Sequence, residues 1–204
     1  MQDLAAALPA RLLGAGEGRH VLDLCAAPGG KTLQLAAQGW QVTALDISKR
    51  RLDLLKANLK RTGLKANTVR ADALTWEPRH QFDAILLDAP CSATGTARRH
   101  PDVLHRIGAR QIGEMADLQS ALLDRARGWL KPGGTLVYAT CSLEREEGEA
   151  QATGVPLPVA PITPEELPAG LAPTGEGWLR TDPGMLAEHG GLDGFFVARW
   201  RAKG

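Results

Sequence analysis

Cysteine is scarce in this chain, which contains only Cys25, Cys91 and Cys141. Three widely spaced cysteines do not form a disulfide framework, and without a C-x-x-C pair the sequence indicates neither a zinc site nor a dithiol redox motif. We therefore predict no metal. Thiols that stay unpaired are typical of a reducing compartment, so we expect a cytoplasmic protein.

Long apolar runs and an excess of either charge are also lacking. No run reaches the length of a membrane span, and residues 1–14 lack the basic start and apolar stretch of a signal peptide. We expect no membrane partner. The net charge of +1 gives no overall basic signal, so any nucleic-acid binding depends on local patches or on a separate module. With 204 residues, 44% of them apolar, one folded domain is expected.

Apolar strands and amphipathic helices alternate after a first helix at residues 2–13. Continuous apolar strands between such helices predict an α/β fold with a mostly parallel sheet and helices on both faces. Ligands of these sheets bind beyond the carboxyl ends of the strands. The predicted strands are 20–25, 41–46, 68–71, 82–88, 135–140, 178–181 and 195–200. The predicted helices are 31–38, one that Ser48 caps and Gly63 ends, and 117–130, which residues 131–134 terminate.

Residues 148–177 differ from the rest of the chain. They are rich in proline and show no periodic apolar pattern. We interpret them as a mobile, proline-rich surface loop, with a simple solvated loop and a lid as the two alternatives.

Two cysteines stand at the ends of predicted strands. Cys91 closes ILLDAPC, and Cys141 lies in LVYATCS. A thiolate can attack an electron-poor carbon, and two thiols that meet at one strand edge could divide nucleophile and elimination roles. The alternative is that both are small buried hydrophobic residues.

A glycine-containing loop, CAAPGGKT, follows the first strand at residues 25–32. Its glycines allow a close approach of the backbone to a ligand, and the next helix offers free N–H groups to an anion. The dinucleotide pattern G-x-G-x-x-G is absent. A P-loop motif matches only at Gly30, Lys31 and Thr32, because Cys25 occupies its first glycine position. With Asp88 as a possible magnesium ligand, an NTPase is the nearest alternative function for this loop.

Carboxylates at three successive strand ends favour a different ligand. Asp46 is placed to accept both hydroxyls of a ribose, Asp72 could accept from an adenine amino group, and Asp88 ends the fourth strand. A nucleoside with a short anionic tail and a cationic centre, as in S-adenosylmethionine, fits three carboxylates better than a triphosphate does. Taken singly, each aspartate could be only a helix cap or a solvated strand end.

Five segments together resemble the Nop/Sun family of RNA cytosine-C5 methyltransferases. They are CAAPGGKT, DISKRRLDLLKANLKRTG, ILLDAPCSATGTARRHPD, LKPGGTLVYATCSLEREEGE and DGFFVARW. The resemblance implies a Rossmann-like methyltransferase sheet whose last strand is antiparallel, with S-adenosylmethionine as cofactor and RNA, ribosomal RNA first, as partner.

The resemblance also implies roles for individual residues. Cys141 matches the nucleophile that attacks C6 of cytosine, Cys91 matches the cysteine of product release, and Asp88 is assigned to N3 of the base, for which it would be protonated or share a proton in a buried site. Lys31 or Arg98 would favour the thiolate. The residues implied to line the cofactor site are Cys25, Ala26, Ala27, Pro28, Gly29, Gly30, Lys31, Asp46, Asp72 and Asp88.

RNA contacts are less well defined by the sequence. Arg98 and Arg99, directly after the DAPC segment, are candidates for RNA phosphates, with a solvated charged loop as the alternative. Family members carry an N-terminal RNA-binding portion, whereas here residues 1–204 read as the methyltransferase domain alone. Three alternatives follow: the sequence is a fragment, a minimal form, or a chain that uses a separate RNA-binding domain or protein as a further partner.

Three rival functions remain open from the sequence. The same reaction on tRNA is the nearest rival. A non-catalytic module that binds cofactor or RNA in ribosome assembly would need neither cysteine. The P-loop NTPase predicts magnesium-dependent ATP binding.

Overall fold

The computed structural model describes residues 2–204. They form a seven-stranded sheet with strand order β3-β2-β1-β4-β5-β7-β6, in which only β7 runs against the others. The strands are β1 His20–Leu24, β2 Gln41–Asp46, β3 Asn67–Arg70, β4 Phe82–Asp88, β5 Leu130–Thr140, β6 Leu179–Thr181 and β7 Phe195–Arg201. The helices are α1 Leu4–Arg11, α2 Gly30–Ala37, α3 Lys49–Thr62, α4 Val103–Arg106, α5 Ala109–Gly128 and α6 Glu149–Gly154.

Alternate residues of the central strands enter two separate cores. On one face, Ala84 and Leu86 of β4 pack with apolar residues of α1, α2 and α3. On the other face, Ile85 and Leu87 pack with α5 and α6. This period of two buries both sides of each strand, which explains its continuous apolar sequence. The predicted class, a mostly parallel α/β sheet with an antiparallel last strand and helices on both faces, is confirmed.

Local sequence signals account for most element ends. Ser48 accepts a hydrogen bond from the backbone N–H of Arg51 at 3.3 Å, and Gly63 ends α3 in the left-handed conformation. The strand β5, however, begins at Leu130 rather than at residue 135. Its pairing with β4 is irregular there, because the register shifts between Phe82 and Ala84.

Two helices depart from the sequence prediction. The helix α4 was not predicted at all. The helix α5 begins at Ala109 and not at residue 117, because its first two turns carry mostly exposed residues and Gly113, which hide the helical period. Its start is instead marked by Gln111, whose side chain accepts from the Gly108 N–H at 3.1 Å.

Residues 148–177 are irregular over most of their length, as expected of a surface loop, but the segment is also anchored to the fold. It begins with the helix α6, and Val159 bridges to Trp200 of β7. Ile162, Leu167 and Leu171 belong to the core. Their sequence spacing shows no periodic pattern, so it does not mark them as buried. Within residues 2–204 no helix is both long enough and apolar enough to cross a bilayer.

Candidate active site

The carboxyl ends of β1, β2, β4 and β5 meet at one edge of the sheet because these strands are parallel neighbours. Each strand delivers one predicted site segment to that edge: the loop after Leu24, then Asp46, Asp88 and Cys141. The structure thus gathers side chains that are more than 100 residues apart in the chain. Such an edge is where open α/β sheets bind their ligands.

The loop between β1 and α2 is fastened to its neighbours by backbone groups. The N–H of Ala26 donates to the carbonyl of Leu45 at 3.1 Å, and the N–H of Ala27 donates to the Asp46 carboxylate at 3.1 Å. Gly29 has a φ of 107°, and a Cβ there would lie 2.8 Å from the side chain of Leu55. A glycine is therefore required for this loop to seat on α3.

A cavity of ≈ 220 Å³ lies between Asp46 and Asp72. Its walls are mostly apolar, and its lining residues are Cys25, Leu45, Asp46, Ile47, Arg51, Ala71, Asp72, Ala73, Leu74, Pro90, Leu118 and Leu122. Such walls suit the faces of an adenine ring, and the two carboxylates suit polar groups at its ends. These residues fit the adenosine part of S-adenosylmethionine.

The predicted cofactor residues do not all face this cavity. Cys25, Asp46 and Asp72 line it, whereas Pro28 and Gly30 line a different one with Gln2 and others. Ala26, Ala27 and Gly29 are buried, so their part in a site is through the backbone.

The two cavity carboxylates, Asp46 and Asp72, differ in how many hydrogen bonds they already accept and in how exposed they are. Asp46 is only 2% exposed, and its oxygens already accept from the N–H groups of Ala27 and Ser48. Asp72 is exposed, and its carboxylate accepts one hydrogen bond, from Leu74, within the described chain. Asp72 therefore has the greater capacity for a new polar partner.

Lys31 and Asp88 form an ion pair at the same edge. The Nζ of Lys31 donates to Oδ2 of Asp88 at 2.7 Å, with the Lys31 side chain 9% exposed and that of Asp88 34% exposed. The ammonium also lies 5.4 Å from the centre of the Phe195 ring. The expectation that Asp88 is protonated rests on a buried site, whereas its carboxylate is partly exposed and paired with Lys31.

Cys91 and Cys141 meet at this edge with 3.5 Å between their sulfur atoms. The hydrogen bond from Cys91 lowers the pKa of Cys141 below its ordinary value, and Lys31 lowers it further, against burial and Asp88. The same bond and burial raise the pKa of Cys91 well above the ordinary value. Cys141 is therefore the thiol that ionises first, with Cys91 as its proton donor.

The third cysteine is chemically different. Burial, followed by the negative charges of Asp88 and Asp46, raises the pKa of Cys25 to about 12. Cys25 is thus neutral at neutral pH and acts as a packing residue.

Arg98 and Arg99 are held within the chain. Arg99 forms an ion pair with the buried carboxylate of Asp193, and Arg98 lies 2.9 Å from Asp3 and 3.6 Å from Asp193. Arg98 also donates to the carbonyl of Gly190 at 3.0 Å. Lys31, and not Arg98, is the cation that lowers the pKa of Cys141.

Several residues of this edge gave no recognisable signal in the sequence. Glu147 is completely buried and joins the loops of both cysteines, yet it stands in a run of acidic residues that look alike. Asp23 is buried beneath the glycine-containing loop, and its carboxylate accepts from Thr32 at 2.5 Å. Ile47 and Leu74 wall the cavity although they are 64% and 37% exposed.

Comparison with known proteins agrees with this geometry. The family model described as 16S rRNA methyltransferase RsmB/F matches residues 10–201. "Ribosomal RNA small subunit methyltransferase B" from Klebsiella pneumoniae is 46% identical over 205 residues, which are 98% of this chain and 46% of that protein. Its counterpart from Salmonella arizonae is 45% identical over 208 residues, with the same coverage. The chain thus spans about half the length of these curated relatives.

Solved structures show the same similarity. PH0851 superposes with a TM-score of 0.86 at 34% identity, covering 98% of this chain and 46% of that one. NSun6 from Pyrococcus horikoshii, solved with SFG, superposes with a TM-score of 0.81 at 32% identity. The match covers 98% of this chain and 52% of that one. The fold is that of S-adenosylmethionine-dependent methyltransferases, and both the predicted cofactor and the predicted family are confirmed. The chain belongs to the RsmB/F family of 16S rRNA methyltransferases.

Proposed function

We propose that this domain methylates C5 of a cytosine in RNA through a covalent bond between Cys141 and C6 of the base, with ribosomal RNA as the leading candidate substrate. The observation that carries the proposal is the pair of thiols 3.5 Å apart, of which Cys141 has the lowered pKa, next to Lys31 and Asp88. Membership of an rRNA methyltransferase family supports RNA as the substrate class. A module that only bound RNA would need neither thiol.

The first step is attack by the Cys141 thiolate. Its sulfur forms a bond to C6, the C5–C6 double bond breaks, and the electron pair is delocalised over C5 and N3. The N3 atom becomes basic and takes a proton from solvent, and its new N–H donates to the Asp88 carboxylate. When bound, S-adenosylmethionine supplies the electrophilic methyl group that C5 takes up.

The second half of the reaction releases Cys141. A base must remove the proton from C5, after which the C5–C6 double bond forms again, Cys141 leaves as a thiolate and N3 returns its proton to solvent. Cys91 is assigned as this base, directly or through water. Once Cys141 is bonded to carbon, the negative neighbour that raises the pKa of Cys91 is gone, so Cys91 releases its proton to solvent more readily and can accept the C5 proton as a thiolate. As Cys141 leaves, the thiol of Cys91 can donate to it again.

The test is covalent trapping. The chain and S-adenosylmethionine are incubated with RNA containing 5-fluorocytosine, and the products are run on a denaturing gel. The C5 fluorine replaces the hydrogen that a base would remove, so the adduct cannot be resolved. We expect an adduct that Cys141→Ala abolishes and that omission of S-adenosylmethionine prevents. With ordinary RNA, Cys91→Ala should accumulate an adduct that the parent releases.

Two results would contradict the proposal. Adducts that persist in Cys141→Ala and vanish in Cys91→Ala would reverse the roles of the thiols. Failure to trap any RNA, when calorimetry shows that the protein binds both S-adenosylmethionine and that RNA, would refute the covalent mechanism.

Binding of S-adenosylmethionine should weaken in Asp72→Asn, because that carboxylate faces the cavity.

A further inference from the structure

A carboxylate without a cationic partner is buried beside the two cysteines. Glu147 ends the short turn Arg145–Glu147 after β5, and its side chain is 0% exposed. No lysine, arginine or histidine in residues 2–204 lies within ion-pair distance of it; only hydrogen-bond donors surround it. A buried carboxylate is costly unless donors compensate for its lost hydration, so the arrangement of those donors indicates what Glu147 does.

The donors to Glu147 come from the segment that carries Cys91. Its Oε1 accepts from the backbone N–H of Ser92 at 2.9 Å, and its Oε2 accepts from the hydroxyl of the same serine. Gln119 of α5 donates to Oε1 at 3.1 Å and to the carbonyl of Pro90 at 2.8 Å. The residues on both sides of Cys91 are therefore tied to Glu147, one directly and one through Gln119.

The segment that carries Cys141 reaches the Glu147 carboxylate through Ser92. The hydroxyl of Ser92 lies 3.0 Å from that of Ser142, the residue after Cys141. The residue before it, Thr140, donates through its hydroxyl to the backbone carbonyl of Glu147 at 3.2 Å. One flank of Cys141 thus reaches the carboxylate through Ser92, and the other is bonded to the Glu147 backbone, which a side-chain substitution leaves in place.

We infer that Glu147 is a positioning residue that sets the separation of Cys91 and Cys141. The thiol hydrogen bond spans 3.5 Å, and a shift of about 1 Å in either loop would break it. The consequence for catalysis rests on the proposed function: a nucleophile displaced by about 1 Å can cost 10²-fold in rate. Glu147 touches no reacting atom and acts through the two loops.

A trivalent arsenical measures the separation of the thiols without RNA or cofactor. Phenylarsine oxide forms two As–S bonds with a pair of nearby thiols, and its oxygen leaves as water with the two thiol protons. The parent should bind one equivalent, and Cys91→Ala or Cys141→Ala should abolish that binding. We expect Glu147→Ala to weaken it by about tenfold or more, because the loops separate.

The conservative variant separates positioning from general destabilisation. Glu147→Gln keeps an oxygen that accepts from Ser92 N–H and gains an amide that can donate to the Ser92 hydroxyl, so its affinity should stay within about threefold of the parent. The matched control is Glu166→Ala, which removes a carboxylate bonded to Arg199 at 2.6 Å, outside this network. It should lose stability and keep the parent affinity for the arsenical.

Ser92→Ala keeps the inference testable if Glu147→Ala does not fold. It removes the hydroxyl between Glu147 and Ser142 and little else, and we expect it to weaken arsenical binding by several-fold. Unchanged affinity in Glu147→Ala, or in Ser92→Ala where Glu147→Ala does not fold, would overturn the inference, as would an equal loss in Glu166→Ala. Absence of an RNA adduct in a parent that binds both S-adenosylmethionine and that RNA would instead refute the proposed function, since the arsenical measurement does not depend on RNA.

Discussion

The ammonium of Lys31 contacts the carboxylate of Asp88 at 2.7 Å, joining the first turn of α2 to the end of β4. The two charges act on Cys141 in opposite directions, since Lys31 lowers its pKa and Asp88 raises it. Their balance helps to set how much thiolate Cys141 presents at neutral pH. The ion pair therefore influences the ionisation of Cys141 as well as joining α2 to β4.

Removal of the cation should leave Asp88 unopposed. We expect Lys31→Met to raise the pKa of Cys141 and to slow its alkylation by iodoacetamide at pH 7 by roughly three- to tenfold, because one pKa unit changes the thiolate fraction tenfold. Alkylation of the Cys141 peptide is followed by mass spectrometry.

A second lysine provides a matched control for this prediction. Lys131 pairs with Asp83 at 2.9 Å, at the opposite end of β4. Lys131→Met should leave the alkylation rate of Cys141 at the parent value. Equal slowing in both variants would mean that the effect comes from loss of stability and not from the local charge.

The thiol pair should be visible in the pH dependence of alkylation. The largest cause of the lowered pKa of Cys141 is the hydrogen bond from Cys91. Because the thiolate is the reactive form, the rate for Cys141 should reach half its plateau below pH 9, the ordinary value. Cys91→Ala removes the donor and should move that midpoint upward, whereas Cys91→Ser keeps an O–H donor and should move it less. A midpoint that stays or falls in Cys91→Ala would contradict the assigned bond.

The parts of the molecule that follow from the sequence are those whose signals are local. The strands β2 and β4 are predicted to the residue because their apolar runs are continuous and end in aspartates. The convergence of Cys91 and Cys141 follows from parallel neighbouring strands. Ser48 and Gly63 identify the ends of α3 because each satisfies the helix terminus next to it.

The remaining features depend on contacts between distant segments. Glu147 cannot be told apart from Glu144 and Glu146 in the sequence, since only the folded chain places Ser92 and Gln119 against it. Arg99 has a charge that suits RNA, yet its partner Asp193 lies 94 positions away. Such pairings become visible only when the sheet has brought the segments together.

The pair of Arg99 and Asp193 yields a stability prediction. The Asp193 side chain is 1% exposed, whereas that of Arg99 is 46% exposed. Arg99→Ala leaves a buried carboxylate with Arg98 at 3.6 Å as its remaining cation, so we expect the free energy of unfolding to fall by about 1–3 kcal/mol. Urea denaturation measures it. Arg106→Ala, which breaks an exposed pair with Asp102, should cost about 0.5 kcal/mol or less. Similar costs for the two variants would show that Asp193 does not depend on Arg99.

Asp23 should make stability depend on pH. Burial raises its pKa from 3.8 to about 7, against the lowering effect of the hydrogen bond from Thr32. Its Oδ1 has no hydrogen-bond partner among residues 2–204, which disfavours the charged form. The folded state therefore holds a proton more tightly than the unfolded state. The stability contributed by protonated Asp23 is fully present below pH 3.8 and is lost as the pH rises through about 7.

Asp23→Asn removes this titration, because an amide stays neutral throughout. The stability of the variant relative to the parent should rise between pH 4 and pH 8, by up to about 4 kcal/mol for a pKa raised from 3.8 to about 7. Thr32→Val removes the donor that lowers the pKa, so the pH dependence of that variant should extend to higher pH than in the parent. Urea unfolding at several pH values measures both. A stability difference between Asp23→Asn and the parent that stays constant from pH 4 to pH 8 would show that Asp23 ionises alike in the folded and unfolded chains.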